Sequence, residues 1–142
     1  MTHEEKALTC DHQCSTCADN PALKPGLLKR WPIRLSLLGG ANCTPYNADM
    51  LIAADCTAFA CAGFQDEYIK DRLTIIVCPL LEESQEKLTD IFRDNDIRSV
   101  TVARMSSPCC NKLSASVKAA VSASGRTLPL QTVTIEPSGE VI

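Results

Sequence analysis

The chain has 142 residues, a net charge of −3 and a pI near 5.3, so it suits one domain and lacks the excess of cations that nucleic-acid binding requires. No apolar run reaches the roughly 18 residues that a bilayer span needs. Residues 1–6 are polar and acidic, unlike the basic and apolar regions of a signal peptide. We therefore predict a cytoplasmic protein whose partners include neither nucleic acid nor a membrane.

Nine cysteines are the unusual feature of this composition. A disulfide framework would suit a small exported domain, but the number is odd and no export signal is encoded. In a reducing compartment, the cysteines indicate metal ligation, an iron–sulfur cluster or redox thiols. Any single cysteine can instead be a small buried hydrophobe. The composition leaves these uses open.

Residues 1–30 show no sustained periodicity, and we predict that they form a cysteine-rich N-terminal arm. Cys10, Cys14 and Cys17 lie there in a C-x3-C-x2-C run, with His12 between the first two. This spacing can supply three corners of a cubane cluster, or most of a zinc site with His12 as the fourth ligand. The three cysteines are therefore a second candidate metal site, and residues 31–142 form the predicted main domain.

Short apolar or β-branched runs predict five strands, with helical patterns between the later ones. The predicted strands cover residues 33–38, 50–54, 73–77, 97–102 and 130–135, and the predicted helices cover 63–71, 82–93 and 113–121. The last strand alternates with Thr and Gln, which predicts an edge position. Gly125 follows the last helix, where a left-handed stop is easily made.

Strands that alternate with helices predict a three-layer α/β domain of the Rossmann or flavodoxin kind, with a mainly parallel sheet of about five strands. The connection between the first two strands is only about eleven residues long, near the lower limit for a parallel crossover. An irregular or antiparallel first pairing therefore stays open.

The predicted strand ends collect the remaining cysteines. They are Cys43 after the first strand, Cys56 after the second with Cys61 shortly beyond it, Cys78 after the third, and Cys109 and Cys110 after the fourth. Because ligands bind outside the carboxyl ends of parallel strands, this topology would gather distant thiols at one edge. The sequence therefore predicts a sulfur-rich crevice able to hold a cluster.

Four segments occur in a recognisable order: residues 31–35 (WPIRL), 53–56 (AADC), 78–83 (CPLLEE) and 105–110 (MSSPCC). They resemble the WPVQL, AADC, CPKLDD and PCC segments in the C-terminal domain of a ferredoxin-like family of iron–sulfur proteins from anaerobes. The likeness covers about residues 31–142, and the N-terminal two-cluster ferredoxin module usual in that family is absent.

This resemblance implies electron transfer or redox sensing through an iron–sulfur cluster, 4Fe–4S rather than 2Fe–2S. It implies that Cys56, Cys78, Cys109 and Cys110 hold the cluster, while Cys43 and Cys61 are candidate additional ligands. The expected partner is an unidentified redox protein, and an electron carrier or binding protein is favoured over an enzyme.

Two alternatives stay open. A zinc-binding structural or interaction module would use the same thiols without sulfide. A thiol-based redox protein would need a cysteine of low pKa, and Cys109 or Cys110, next to a helix start, is the candidate. The sequence contains no C-x5-R phosphate loop, G-x-G-x-x-G run or P-loop, so we predict no nucleotide cofactor.

Overall fold

The computed structural model of the protein describes residues 26–38 and 47–142. Four parallel strands form its sheet, in the order β2-β1-β3-β4. They are β1 (Ala48–Ala54), β2 (Leu73–Val77), β3 (Ile97–Met105) and β4 (Leu130–Ile135). The predicted α/β architecture with a parallel sheet is confirmed, but the described residues form four strands rather than about five.

The segment predicted as the first strand, residues 33–38, is not a strand, so that prediction is wrong. Only Arg34 forms a bridge, parallel to Ile76 of β2, and Leu35–Leu37 continue as a 3-10 turn. Leu35 and Leu38 are buried whereas Leu37 is exposed. Burial therefore recurs at a spacing of three residues, which suits a helical turn, and not at the spacing of two that a strand requires.

Helical segments connect the strands. They are α1 (Thr57–Ala60) followed by a π-helical turn (Gln65–Ile69), α2 (Gln85–Asp94), and α3 (Asn111–Ala123) preceded by a 3-10 turn (Pro108–Cys110). The helices predicted over residues 82–93 and 113–121 are present, with ends shifted by a few residues, whereas the predicted helix 63–71 contains only the π-helical turn. Gly125 has a φ of 76°, which confirms the predicted left-handed stop after α3. No helix in the described part of the chain is both long and apolar enough to cross a membrane.

Helical segments cover both faces of the sheet. On one face, Ile52 and Val102 pack against α2 and α3 through residues such as Phe92 and Leu113. On the other face, the strand residues pack against the segments between β1 and β2. The members of this second cluster are Leu51, Ala53, Ala103, Val133 and Ile135 of the sheet, with Cys61, Phe64 and Ile69. Coverage on both sides explains why the central strands are continuous apolar runs.

Strand β4 is an outermost strand of the sheet, as the sequence predicts. The chain end runs antiparallel beside it, with a bridge between Ile135 and Val141 and a hydrogen bond from Ile142 N to Thr134 O of 2.9 Å. At the first described residues, Leu27 packs against the second cluster. The last residues of the predicted arm therefore contact the main domain.

Candidate functional site

Five of the nine cysteines lie in the described part of the chain, and all five are free thiols. Cys10, Cys14, Cys17 and Cys43 lie outside the described residues, so their predicted roles stay predictions. The five described cysteines differ in exposure, from the exposed Cys56 to the buried Cys61 and Cys110.

Four of these cysteines lie in loops at one edge of the sheet. Cys56 follows β1, Cys78 follows β2, and Cys109 and Cys110 follow β3. Because β2, β1 and β3 are parallel neighbours, their carboxyl ends meet at the same edge. We call these three loops the cysteine edge. The structure therefore brings together the loops of all four first-choice ligands.

The strand order adds a feature that the sequence did not predict. The chain leaves β1 toward β2 on one side, and it later leaves β3 toward β4 on the other. In open α/β sheets, ligands bind in the crevice where strand connections diverge in this way. Cys56 and Cys109 follow the two strands that flank this crevice, and Cys78 follows the next strand.

The donors at the cysteine edge fit a metal in chemistry, but they are not assembled around one. Within residues 26–38 and 47–142, no three His, Cys, Asp or Glu side chains are grouped closely enough to hold a metal ion. Four thiolates are nevertheless a suitable ligand set for an iron–sulfur cluster or zinc. Cys56 is exposed, and Cys78 and Cys109 are partly exposed. Binding would therefore require the loops to draw these accessible thiols together.

Cys109 lies in the 3-10 turn that leads into α3. Its Sγ atom lies 3.1 Å from the Ser107 hydroxyl oxygen. The pKa of the Cys109 thiol is lowered, first by the hydrogen bond with Ser107 and then by hydrogen bonds from the Cys110 thiol and nearby backbone N–H groups. A helix N-terminus also favours an anion. Cys109 is therefore poised to carry negative charge.

Cys110 has the opposite character. It is buried in the core cluster that α2 and α3 form with the sheet, and its N–H donates to Ser107 O at 3.0 Å. Burial raises the pKa of the Cys110 thiol, and the neighbouring charge of Cys109 raises it further. The two adjacent cysteines thus differ: the pKa of the accessible Cys109 thiol is lowered, and the pKa of the buried Cys110 thiol is raised.

An ion-pair cluster joins two loops of the cysteine edge. Arg34 donates from Nη2 to Asp55 Oδ2 at 2.7 Å and from Nη1 to Glu82 Oε1 at 3.2 Å. Asp55 directly precedes Cys56, and Glu82 N donates to Cys78 O at 3.1 Å. The sequence analysis missed Arg34. The signal was the placement of Asp55 and Glu82 beyond neighbouring strand ends, where two carboxylates need a cation.

Cys61, a candidate additional ligand, directly follows α1 and belongs to the second core cluster. Only 8% of it is exposed, and it packs with Phe64 and Ile69. This environment favours the other reading that the sequence left open, in which the cysteine is a small buried hydrophobe.

Three large apolar side chains that follow Cys56 and Cys78 in the sequence are exposed. Phe59 is 94% exposed, three residues after Cys56, and Leu80 and Leu81 are 70% and 78% exposed, shortly after Cys78. Exposed large apolar side chains indicate a contact surface where they form a contiguous patch. The segments that follow Cys56 and Cys78 are therefore candidates for such a surface.

Comparisons with known proteins bear on the fold. The chain is 27% identical over 117 residues to an uncharacterised protein of Archaeoglobus fulgidus. The aligned region covers 80% of this chain and 82% of that protein. No solved structure matches it significantly. The Rossmann-like domain family matches residues 42–142, which include the whole sheet and the cysteine edge. On this match, the chain belongs to the Rossmann-like domain family.

Proposed function

We propose that the protein binds an iron–sulfur cluster at the cysteine edge and uses it for electron transfer or redox sensing. One observation carries this proposal: three neighbouring parallel strands each end in a loop that holds one or two cysteines. Cysteines that serve only as core hydrophobes have no reason to recur in three loops at one edge. Three of the four are also at least partly exposed, as ligands to an added group would be.

In this proposal Cys56, Cys78, Cys109 and Cys110 are the ligands, and a 4Fe–4S cluster is the first choice over 2Fe–2S. The bound cluster would supply reversible one-electron transfer. The chain would stabilise the excess negative charge of four thiolates with the Ser107 hydroxyl and the backbone N–H groups at the start of α3.

The surroundings suit a redox protein as partner. Phe59, Leu80 and Leu81 form exposed apolar surface beside Cys56 and Cys78, and such surface favours contact with another protein. We infer a reducing compartment, the cytoplasm, because it would keep the described thiols free.

The test is anaerobic purification followed by reconstitution with iron and sulfide. We expect brown protein that contains about four iron and four sulfide per chain, with an EPR signal after one-electron reduction. Protein that stays colourless after reconstitution would contradict the proposal. Tight zinc without sulfide would instead identify the zinc-binding structural module.

A second candidate function, a thiol-based redox protein, is favoured by the lowered pKa of Cys109. In such a protein the Cys109 thiolate would attack a partner's disulfide, forming a mixed disulfide and releasing one partner thiolate. Cys56 provides an internal control because it is more exposed than Cys109. Alkylation of Cys109 before Cys56, together with no iron binding, would select this function.

A further inference from the structure

We propose that Arg34 is a positioning residue, which holds the loop with Cys56 against the loop with Cys78. This inference rests on the proposed function for its purpose, because bringing these thiols together is useful only if they share a ligand. The contact itself is independent of any cofactor. One guanidinium donates to Asp55 on the loop after β1 and to Glu82 on the loop after β2.

Hydrogen bonds to β2 hold the backbone at Arg34 in place. Its backbone bridges Ile76 of β2, and Ile76 N donates to Ile33 O at 2.8 Å. Leu37 N donates to Arg34 O at 2.9 Å. Leu35, which directly follows Arg34, is fully buried. The backbone thus lies on the outer side of β2, and the side chain reaches past the end of this strand to the loop of β1.

The two carboxylates are closely connected to the two cysteines. Asp55 is the residue before Cys56. In the other loop, the N–H groups of Leu81 and Glu82 both donate to Cys78 O, at 3.0 and 3.1 Å, so residues 78–82 form one closed turn. The position of Glu82 is therefore coupled to the backbone position of Cys78.

Arg34 also neutralises charge, because it pairs with both the Asp55 and the Glu82 carboxylates. Asp55 and Glu82 side chains are only 24% and 14% exposed, so water screens them incompletely. Asp55 Oδ1 is buried and has no hydrogen-bond partner among the described residues, which leaves Arg34 as the main support of this carboxylate. Without Arg34 the two carboxylates would repel each other and the loops would separate.

The test is chemical cross-linking of the full chain without added iron. Because neighbouring strands lie about 5 Å apart, a short bismaleimide should join Cys56 to Cys78, and mass spectrometry of the digested protein measures the yield. We expect Arg34→Gln to lower the yield roughly three- to tenfold, as the loss of two partly buried ion pairs implies. Arg34→Lys, which keeps the charge, should recover part of it.

A double variant separates tethering from charge. Arg34→Gln with Asp55→Asn restores the original net charge of the three groups without restoring the tether, so we expect the yield to stay low. Arg98→Gln is the matched control, because it breaks an ion pair with Asp49 at the opposite end of the sheet and should leave the yield unchanged.

Three results would overturn the inference: no cross-link in the unaltered chain, an undiminished yield in Arg34→Gln, or full recovery in the double variant. After reconstitution, Arg34→Gln should also retain less iron per chain than Arg34→Lys. If the unaltered chain binds no iron, the proposed function fails while the cross-link still decides the role of Arg34. If it binds iron and cross-linking ignores Arg34, only this inference fails.

Discussion

The two ends of the parallel sheet use their polar side chains differently. At the amino end, Asp49 accepts hydrogen bonds from Arg98 Nε at 2.9 Å and from Ser99 Oγ at 2.6 Å, so its charge is satisfied by the adjacent strand. At the carboxyl end, Cys56 and Phe59 are exposed. Groups satisfied within the fold contribute to stability, whereas accessible groups on loops are available for binding and chemistry. The comparison predicts that substitutions at the two ends have different consequences.

The largest expected effect is the loss of iron from a variant of the cysteine edge. Cys56→Ser should lower iron and sulfide per reconstituted chain roughly ten- to a hundredfold, because it removes a ligand. Loss of a group that only supports a ligand already lowers metal affinity by about this factor. Since Cys56 is exposed, the free energy of unfolding should change by less than about 0.5 kcal/mol.

Cys61→Ala is the matched control, since this cysteine is buried in the second core cluster. It should lower the free energy of unfolding by about 1 kcal/mol and leave the iron content unchanged. The reverse pattern, with stability lost in Cys56→Ser and iron lost in Cys61→Ala, would break the distinction between the edge and the core.

One turn near the cysteine edge, at Gly139, should contribute to stability and not to cluster binding. Gly139 has a φ of 96°, and a Cβ added there would lie 2.7 Å from Ala60 O of α1. We expect Gly139→Ala to lower the free energy of unfolding by about 2 kcal/mol, because it adds backbone strain and a clash with the main chain. Urea denaturation measures the change. Ser138→Ala, at an exposed neighbour, should be neutral, and equal stability of both variants would contradict the prediction.

The amino end should show its role in the pH dependence of stability. Hydrogen bonds from Arg98 and then Ser99 oppose desolvation and lower the pKa of Asp49 from 3.8 to about 2. A carboxyl with a lowered folded-state pKa contributes its full stability above the unfolded pKa and loses it as pH falls through the folded pKa. The contribution of Asp49 should therefore disappear between about pH 4 and pH 2.

Asp49→Asn tests this contribution directly. Because the Arg98 side chain is 58% exposed and well screened, we expect a loss of about 1 kcal/mol in the free energy of unfolding at pH 7. The loss should vanish near pH 2, as urea titrations at several pH values would show. Asp66→Asn, at an exposed aspartate, is the control and should have no effect at either pH. A constant loss at all pH values would rule out the ion pair as the cause.

The sequence predicted what local pattern determines. The residues of β2 and β4 were predicted to the residue, and Gly125 as the stop of α3, because continuous or alternating apolar runs and a positive φ are local signals. Residues 33–38 were predicted wrongly because their apolar residues satisfy both a spacing of two and a spacing of three, and only contacts with β2 decide between them.

The cysteine edge was predictable in outline but not in detail. Parallel topology alone predicts that Cys56, Cys78 and Cys109 follow strands at one edge. The strand order, which places Cys56 and Cys109 beside the crevice between β1 and β3, depends on pairing between distant segments. The role of Arg34 depends on the same long-range arrangement, since its two partners lie 21 and 48 residues away.

The smallest expected effect concerns the thiol at the start of α3. Ser107→Ala removes the hydroxyl that stabilises the Cys109 thiolate, so the pKa of Cys109 should rise toward its usual value. The rate of alkylation by iodoacetamide, followed against pH in the metal-free protein, should shift to higher pH and fall roughly threefold at pH 7.

Ser106→Ala is the control for this variant, because the Ser106 hydroxyl donates to Glu136 Oε2 at 3.3 Å and not to a thiol. An unchanged pH profile in Ser107→Ala would leave the helix N-terminus as the remaining source of activation. A shift in both variants would mean that the loop had moved as a whole. A shift in Ser107→Ala alone would show that the Ser107 hydroxyl lowers the pKa of Cys109.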